Sequence, residues 1–245
     1  MLVNATDLKN NLGKYLREAM REDIIVVSNG RKVALLKAYD EYNDSVAETA
    51  LMLKERAVAY SSYPRKATYE EYLKLTENSE ERYEFIDGEI YYLASPKTGH
   101  QTALGELHFI FASWFHNKTC RPMLAPYDIT LRRHADDINV VRPDLTVICD
   151  LDEHLNEKGY YMGVPALAAE ILSKSTRSKD SIKKMDLYLN TGVREYWIVN
   201  PFNHEISIYR FAEGQMIDSR NYRSGETAAS YIFDGLTVEV AAIFK

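Results

Sequence analysis

The sequence predicts a mixed α/β (α+β) protein, a mixed sheet flanked by helices, preceded by a small N-terminal α+β module. Three observations carry this. A chain of 245 residues is long enough for one or two domains. Strand and helix patterns alternate along its larger part, yet Asn-Gly and Asp-Gly turns mark hairpins, so the sheet is neither wholly parallel nor wholly antiparallel. The charge is also divided: residues 1–37 carry seven Lys/Arg against four Asp/Glu, a net of +3, which leaves −9 of the total −6 for the remainder. A basic segment joined to an acidic one points to two modules with different partners.

Composition narrows the function class. At 46% hydrophobic and 27% charged, the chain can bury a core, which excludes disorder as its main state. No run of about 18 apolar residues is present, so no membrane-spanning helix is expected. The N-terminus lacks a basic-then-apolar leader, so a cytoplasmic location is expected, with Cys120 and Cys149 as reduced thiols. A net charge of −6 argues against indiscriminate coating of nucleic acid.

In the N-terminal module, Leu2 to Ala5 read as a short strand, and Thr6 offers a side-chain oxygen to a helix start. Leu8, Leu12, Tyr15, Leu16 and Ala19 recur at helical spacing through about Met20, with Gly13 a point where the helix can break. Ile24 to Ser28 and Arg31 to Leu36 flank Asn29-Gly30, a hairpin signal because both turn positions need positive φ. Roughly 40 residues rarely bury enough surface alone, so a homodimer is expected. A helical pattern at 42–57 and the breakers Ser61, Ser62 and Pro64 make residues 43–66 a connector between a module at 1–42 and a domain at 67–245. Lys9, Lys14, Arg17 and Arg31 are the candidate DNA contacts; the alternative is an ordinary solvated helix face.

The larger domain opens with a helix at Thr68 to Leu73, where Thr68 and Glu71 have capping-box spacing. Residues 82–93 form a hairpin about Asp87-Gly88. A helix from about His100 to Phe115 presents Leu104, Leu107, Phe111 and Trp114. Strands follow at 127–131, 139–148 and 166–172; then a helix capped by Ser178 or Asp180 and stopped by Gly192; then strands at 195–199 and 205–211.

Two acids stand out by context. Asp144 lies in Val-Val-Arg-Pro-Asp-Leu-Thr-Val-Ile and Glu170 in Leu-Ala-Ala-Glu-Ile-Leu. A carboxylate in an apolar strand is costly unless paired or bound to metal. Side by side on neighbouring strands the two would make a hard oxygen site for Mg²⁺ or Mn²⁺; the alternative is that each ends its strand near water or pairs with Arg142 or Arg194. Lys174, Arg177, Lys179, Lys183 and Lys184 follow Glu170 with only Asp180 among them, a cationic stretch suited to a polyanionic substrate. Within it, Lys174 and Arg177 are further candidate DNA contacts.

Two resemblances rest on these residues. Asn4 to Leu16, with Ile24 to Leu36 around Asn29-Gly30-Arg31, resembles the N-terminal domain of the prevent-host-death antitoxin family. That likeness implies a dimer that binds operator DNA, and a toxin as a further partner. Residues 67–211 resemble the bacterial "putative restriction endonuclease" family of the PD-(D/E)XK nuclease superfamily. The motifs are Arg82 to Ile90, Ser95-Pro96, His100-Gln101, Pro143-Asp144, Glu170 to Arg177, and Gly192 to Pro201. This likeness implies a restriction-endonuclease-like fold and Mg²⁺-dependent cleavage of DNA, with Asp144 and Glu170 as metal ligands and Glu84 as an outer ligand or water contact. The simple motif places lysine two residues after the second acid, where this chain has Leu172; the family likeness moves the lysine to the following helix, at Lys184, with Lys174 as rival and Lys183 facing water. Asn200 stands where the family often has aspartate, a change expected to matter little. His100 extends the Leu104, Leu107 and Phe111 face by one turn and so would border the site, but as a lone histidine at a helix end it is not counted as catalytic. The alternative function is a catalytically silent DNA-binding regulator, or an antitoxin fused to a nuclease-like fold.

Overall fold

The computed structural model describes residues 1–19, 22–28, 30–36, 64–77, 79–173 and 179–244. The chain divides into two compact units, residues 1–61 and 62–245. The helical pattern at 42–57 and the candidate contacts Lys174 and Arg177 lie outside the described residues.

In the first unit, β1 (Leu2–Asn4) runs parallel to β2 (Ile24–Ser28), which pairs antiparallel with β3 (Arg31–Leu36). Gly30 in the hairpin turn has φ +74°, the left-handed conformation that makes glycine the fitting residue there. Two short helices, α1 (Ala5–Asn10) and α2 (Leu12–Ala19), lie between β1 and β2. Their geometry corrects the sequence reading in three respects. The cap is Asn4, whose side chain accepts the Thr6 amide at 2.9 Å, two residues earlier than the expected cap. The break falls at Asn11, whose side chain bonds back to Asp7, and not at Gly13. Tyr15 and Ala19 are buried with Val3, Ile24 and Val26, whereas Leu12 and Leu16 are exposed, because the break rotates α2 away from a single continuous stripe.

The second unit is built on a six-stranded sheet of order β14-β13-β12-β11-β10-β7. Its strands are β7 (Arg121–Leu124), β10 (Leu145–Ile148), β11 (Leu167–Ile171), β12 (Glu195–Asn200), β13 (Glu205–Ala212) and β14 (Gln215–Arg223). Only β11 and β12 are parallel; the other neighbours are antiparallel. β11 and β12 are buried along both faces, which explains their near-continuous apolar sequences. On one face, α4 (Thr98–Phe115) inserts Leu104, Leu107, Phe111 and Phe115, and Phe111 meets Trp197 edge-to-face at 5.3 Å. On the other, α5 (Met185–Thr191) packs Leu187 and Tyr188 against Tyr196 and Ile198. A second sheet, of order β4-β6-β5-β9-β8, joins β4 (Arg65–Lys66), β5 (Tyr83–Ile86), β6 (Glu89–Tyr92), β8 (Ile129–Leu131) and β9 (Asn139–Val141). α3 (Tyr69–Glu77) precedes it with the expected capping box: Thr68 N–H donates to Glu71 and Glu71 N–H to the Thr68 hydroxyl. Asp87 and Gly88 have positive φ in the β5–β6 turn, as their order predicts. A short hairpin of β15 (Thr227–Ala229) and β16 (Thr237–Glu239), then α6 (Val240–Ile243), complete the unit.

Two expectations about strands and cysteines fail in this unit. The run 139–148 is not one strand. It splits at Arg142-Pro143, with β9 in the smaller sheet and β10 in the larger, since proline has no N–H for either ladder. The cysteines are not free thiols: Cys120 and Cys149 form a disulfide. The cause is the unforeseen strand β7, whose register with β10 pairs Arg121 with Ile148 and so sets the next two residues, Cys120 and Cys149, opposite each other. Among the described residues, no helix is long and apolar enough to cross a membrane.

Candidate active site

The split at Pro143 has a consequence for chemistry. It leaves Asp144 at the mouth of β10, between the two sheets' ends, rather than inside a ladder. Its Oδ2 accepts the Ile171 N–H at 2.8 Å and lies 3.2 Å from His100 Nε2. Its backbone carbonyl accepts the Ala125 N–H at 3.1 Å, so both ends of the residue are fixed.

Glu170 projects from β11 one residue before that amide. Its Oε1 accepts from Lys184 Nζ at 2.6 Å and from the Tyr188 hydroxyl at 3.0 Å. Lys184 also lies 2.8 Å from Glu84 Oε1, on β5, and Glu84 accepts the Arg142 N–H at 2.8 Å. All three charged groups are buried, with Lys184 only 1% exposed, Glu170 3% and Glu84 0%. A lysine between two carboxylates is the arrangement that makes such burial tolerable, since an unpaired charge there would cost several kcal/mol.

Local structure explains why lysine reaches the site from this position. The chain returns from β11 through a π-helical turn at Lys179–Lys184 before α5 begins. Consecutive residues then diverge: Lys184 turns inward, and Lys183 reaches Glu89 Oε2 on β6 at 2.5 Å. Burial acts against the Lys183 ammonium, but its contacts with Glu89 and Tyr91 outweigh this and raise its pKa. The same contacts with Lys183 and Tyr91 hold Glu89 below the usual carboxylate range. The expectation that Lys183 faces water is thereby corrected.

Asp144, Glu170, Glu84 and Lys184 line one cleft of about 920 Å³, together with Arg82, Lys97, His100 and Arg142. Leu172 sits with the apolar residues behind Glu170, 4% exposed, and supplies no charge. His100 borders the cleft and lies on Asp144, and its Nδ1 is buried without a hydrogen-bond partner among the described residues. Arg142 bonds to Asp128, and so is not the partner of Asp144. In the first unit, Lys9, Lys14, Arg17 and Arg31 are all exposed.

Asp144 and Glu170 offer hard oxygen donors of the kind that a divalent cation takes. Among the described residues no three His, Cys, Asp or Glu side chains gather into a closed metal cage. Mg²⁺ does not require one, since it usually keeps waters and takes one or two carboxylates plus substrate phosphate.

The family model "Putative restriction endonuclease" (Uma2) matches residues 69–241. The chain belongs to the Uma2 family. Residues 1–59 match a second model, "Antitoxin Phd_YefM, type II toxin-antitoxin system", so an antitoxin-like domain precedes the Uma2 domain. An uncharacterized protein of Synechocystis sp. is 28% identical over 145 residues, covering 59% of this chain and 74% of that protein. The crystal structure of a "putative nuclease belonging to DUF820" from Anabaena variabilis superposes with TM-score 0.57 at 21% identity, over 71% of this chain and 96% of that one. At that identity the likeness shows a shared fold, and it agrees with the mixed sheet of the Uma2 domain.

Proposed function

We propose that the Uma2 domain is a metal-dependent endonuclease that hydrolyses phosphodiester bonds, and that the antitoxin-like domain is a dimeric DNA-binding module. The observation that carries the first part is the meeting of Lys184 with Glu170 and Glu84 in the cleft that Asp144 lines. Asp144 and Glu170 would hold Mg²⁺ or Mn²⁺. Such an ion supplies Lewis acidity to the scissile phosphate and acidifies a bound water. The protein's own groups prepare the rest. The Ile171 amide and His100 engage Asp144 Oδ2 and fix the carboxylate's orientation. Lys184 brings the positive charge that Leu172 cannot, held by two carboxylates so that it needs no reorganisation when charge grows on the phosphate. Glu84 orients the ammonium and is a positioning residue.

The test is cleavage of plasmid and single-stranded DNA with Mg²⁺ or Mn²⁺, by wild type and Asp144→Ala. Asp144→Ala is expected to fold, to lose cleavage, and to lose the rise in melting temperature that divalent ions give wild type, since a ligand of the folded state alone stabilises it. Undiminished cleavage by Asp144→Ala would overturn the assignment. A silent DNA-binding regulator is the second reading, favoured by the double engagement of Lys184; inactive wild type that still binds DNA would support it.

The DNA-binding part rests on the exposed cations Lys9, Lys14, Arg17 and Arg31 and on an apolar surface. Leu12, Leu16, Val33 and Leu35 are each more than half exposed, more than a module of this size keeps in water when alone. A second copy covering them is the proposed dimer, and a toxin is a further partner.

A further inference from the structure

The cleft is not built for phosphates alone. Leu93, Leu104, Leu124, Pro126 and Phe202 line it as well as the carboxylates, so part of its wall is apolar. A phosphodiester gains nothing from such a wall, whereas a nucleobase does. Phe202 is 51% exposed and belongs to none of the buried clusters. Its backbone is nonetheless fixed, because the Phe202 N–H donates to the Asn200 side chain at 3.0 Å just beyond the end of β12. An aromatic ring is thus held at the cleft by a tight turn without serving the core.

The cations point the same way. Of the four in the cleft, Lys184 is engaged by Glu84 and Glu170, and Arg142 by Asp128. Arg82 and Lys97 have no ionic partner among the described residues and remain available to anionic oxygens. An apolar wall with an exposed aromatic ring, two unengaged cations and a carboxylate pair together match one unstacked nucleotide.

We propose, resting on the nuclease reading above, that the cleft takes an unpaired nucleotide, so that the substrate is single-stranded or locally opened nucleic acid rather than intact duplex. Phe202 stacks on the base, and Arg82 and Lys97 hold the neighbouring phosphates. In a paired duplex the bases are stacked on one another and cannot reach the wall without being flipped out. Stacking on an aromatic side chain is tolerant of base identity, so the cleft selects for strandedness and not for sequence.

The experiment uses the full chain with Ca²⁺ in place of Mg²⁺ and oligonucleotides carrying 2-aminopurine, either single-stranded or paired in a blunt duplex. Wild type is expected to quench the single-stranded probe and to leave the duplex probe's fluorescence, already low from base stacking, unchanged. Phe202→Ala is expected to lose the quench and bind the single strand about tenfold more weakly, the loss of one stacked base. Phe202→Trp should restore both. Because all variants share the N-terminal module, its own duplex binding cancels. Cleavage in Mn²⁺ separates the two readings. Quenching that depends on Phe202 in a protein that cuts nothing would support the nucleotide cleft while the nuclease reading fails. Duplex cut as fast as single strand, with Phe202→Ala unaffected, would overturn the nucleotide cleft while the nuclease reading stands.

Discussion

At the scale of single residues, Lys183 and Lys184 show how one step along a chain separates two roles. Lys184 is buried between Glu170 and Glu84, so removing it altogether would leave two carboxylates facing each other, at a cost of about 3–5 kcal/mol. Lys184→Gln keeps a donor and removes the charge. It is expected to retain the near-UV circular dichroism of wild type while losing about 10²-fold or more in cleavage, the range for one lost charge-stabilising group. Lys183→Ala removes a partly exposed ion pair and should cost about 1 kcal/mol or less in urea unfolding, with cleavage unchanged. A Lys183→Ala enzyme that folds and is dead would reverse the two assignments. Glu170 stands out in the sequence because it interrupts an apolar strand, and Asp144 because it stands in an apolar run, just before β10; Lys184 is indicated by the family resemblance. The partner of Lys183 was not legible: Glu89 lies 94 residues away and meets it only through the packing of β6 on the π-helical turn. The contact of His100 with Asp144 was not legible for a similar reason, since it spans 44 residues and depends on where Pro143 breaks the strand.

Elements were legible where a local rule decided them. The capping box of α3 is one, and Thr68→Ala is expected to cost about 1 kcal/mol of stability by chemical denaturation. Strands without alternation were not legible. β14 is exposed along nearly its whole length and carries no period-2 signal, and β7 is four residues with a proline inside. The disulfide depended on β7 and was lost with it. Arg133 joins elements that no sequence pattern relates. It donates to Asp87 in the β5–β6 turn, to Asp137 before β9 and to Asp186 in the first turn of α5, so it ties the hairpin bearing Glu84 to the helix that follows Lys184. Arg133→Met should therefore lose about 1–2 kcal/mol and lower the melting temperature. The loss has a pH signature. Burial alone would raise the Asp137 pKa, but bonds from the Arg133 amide and Asn139, with the guanidinium charge, hold it below its ordinary 3.8. Such a depressed carboxylate contributes stability above its unfolded value, and this is lost as pH falls through the lower folded value. The difference in melting temperature between wild type and Arg133→Met should thus be full above about pH 5 and shrink toward pH 3. A difference that stays constant across that range would mean that the carboxylates around Arg133 contribute nothing through their charge.

At the scale of the whole molecule, two family matches lie on one chain, an antitoxin-like domain and a Uma2 domain. The basic excess read from composition is confined to the first 37 residues, since the matched stretch 1–59 carries nine Lys/Arg against nine Asp/Glu. A nuclease cleft of the proposed kind, which would not read sequence, needs something else to bring it to its substrate, and the proposed dimer of the basic N-terminal segment would do so. Affinity that comes from phosphate contacts has a quantitative mark. Each neutralised phosphate releases counterions, so log K falls with log salt at about 0.9 per contact on duplex DNA. Lys9, Lys14, Arg17 and Arg31 are exposed and, unlike Lys184, are not buried between carboxylates. Replacing all four with Ala is expected to weaken duplex binding and to make the slope shallower, by up to about 7 for a dimer that presents both sets of four cations, measured by fluorescence anisotropy between 50 and 200 mM salt. Quenching of a single-stranded probe in the cleft should persist at saturating protein, because the lysines and arginines there are different ones. Val33→Glu places a charge on the exposed apolar surface and should shift the mass seen by analytical ultracentrifugation from two chains toward one. It should also weaken duplex binding, since a dimer that presents both sets of cations to one duplex gains from their linkage. If the fourfold Ala variant kept both its affinity and its slope, the cations of this module would be a solvated face, and recruitment would have to come from the Uma2 domain itself.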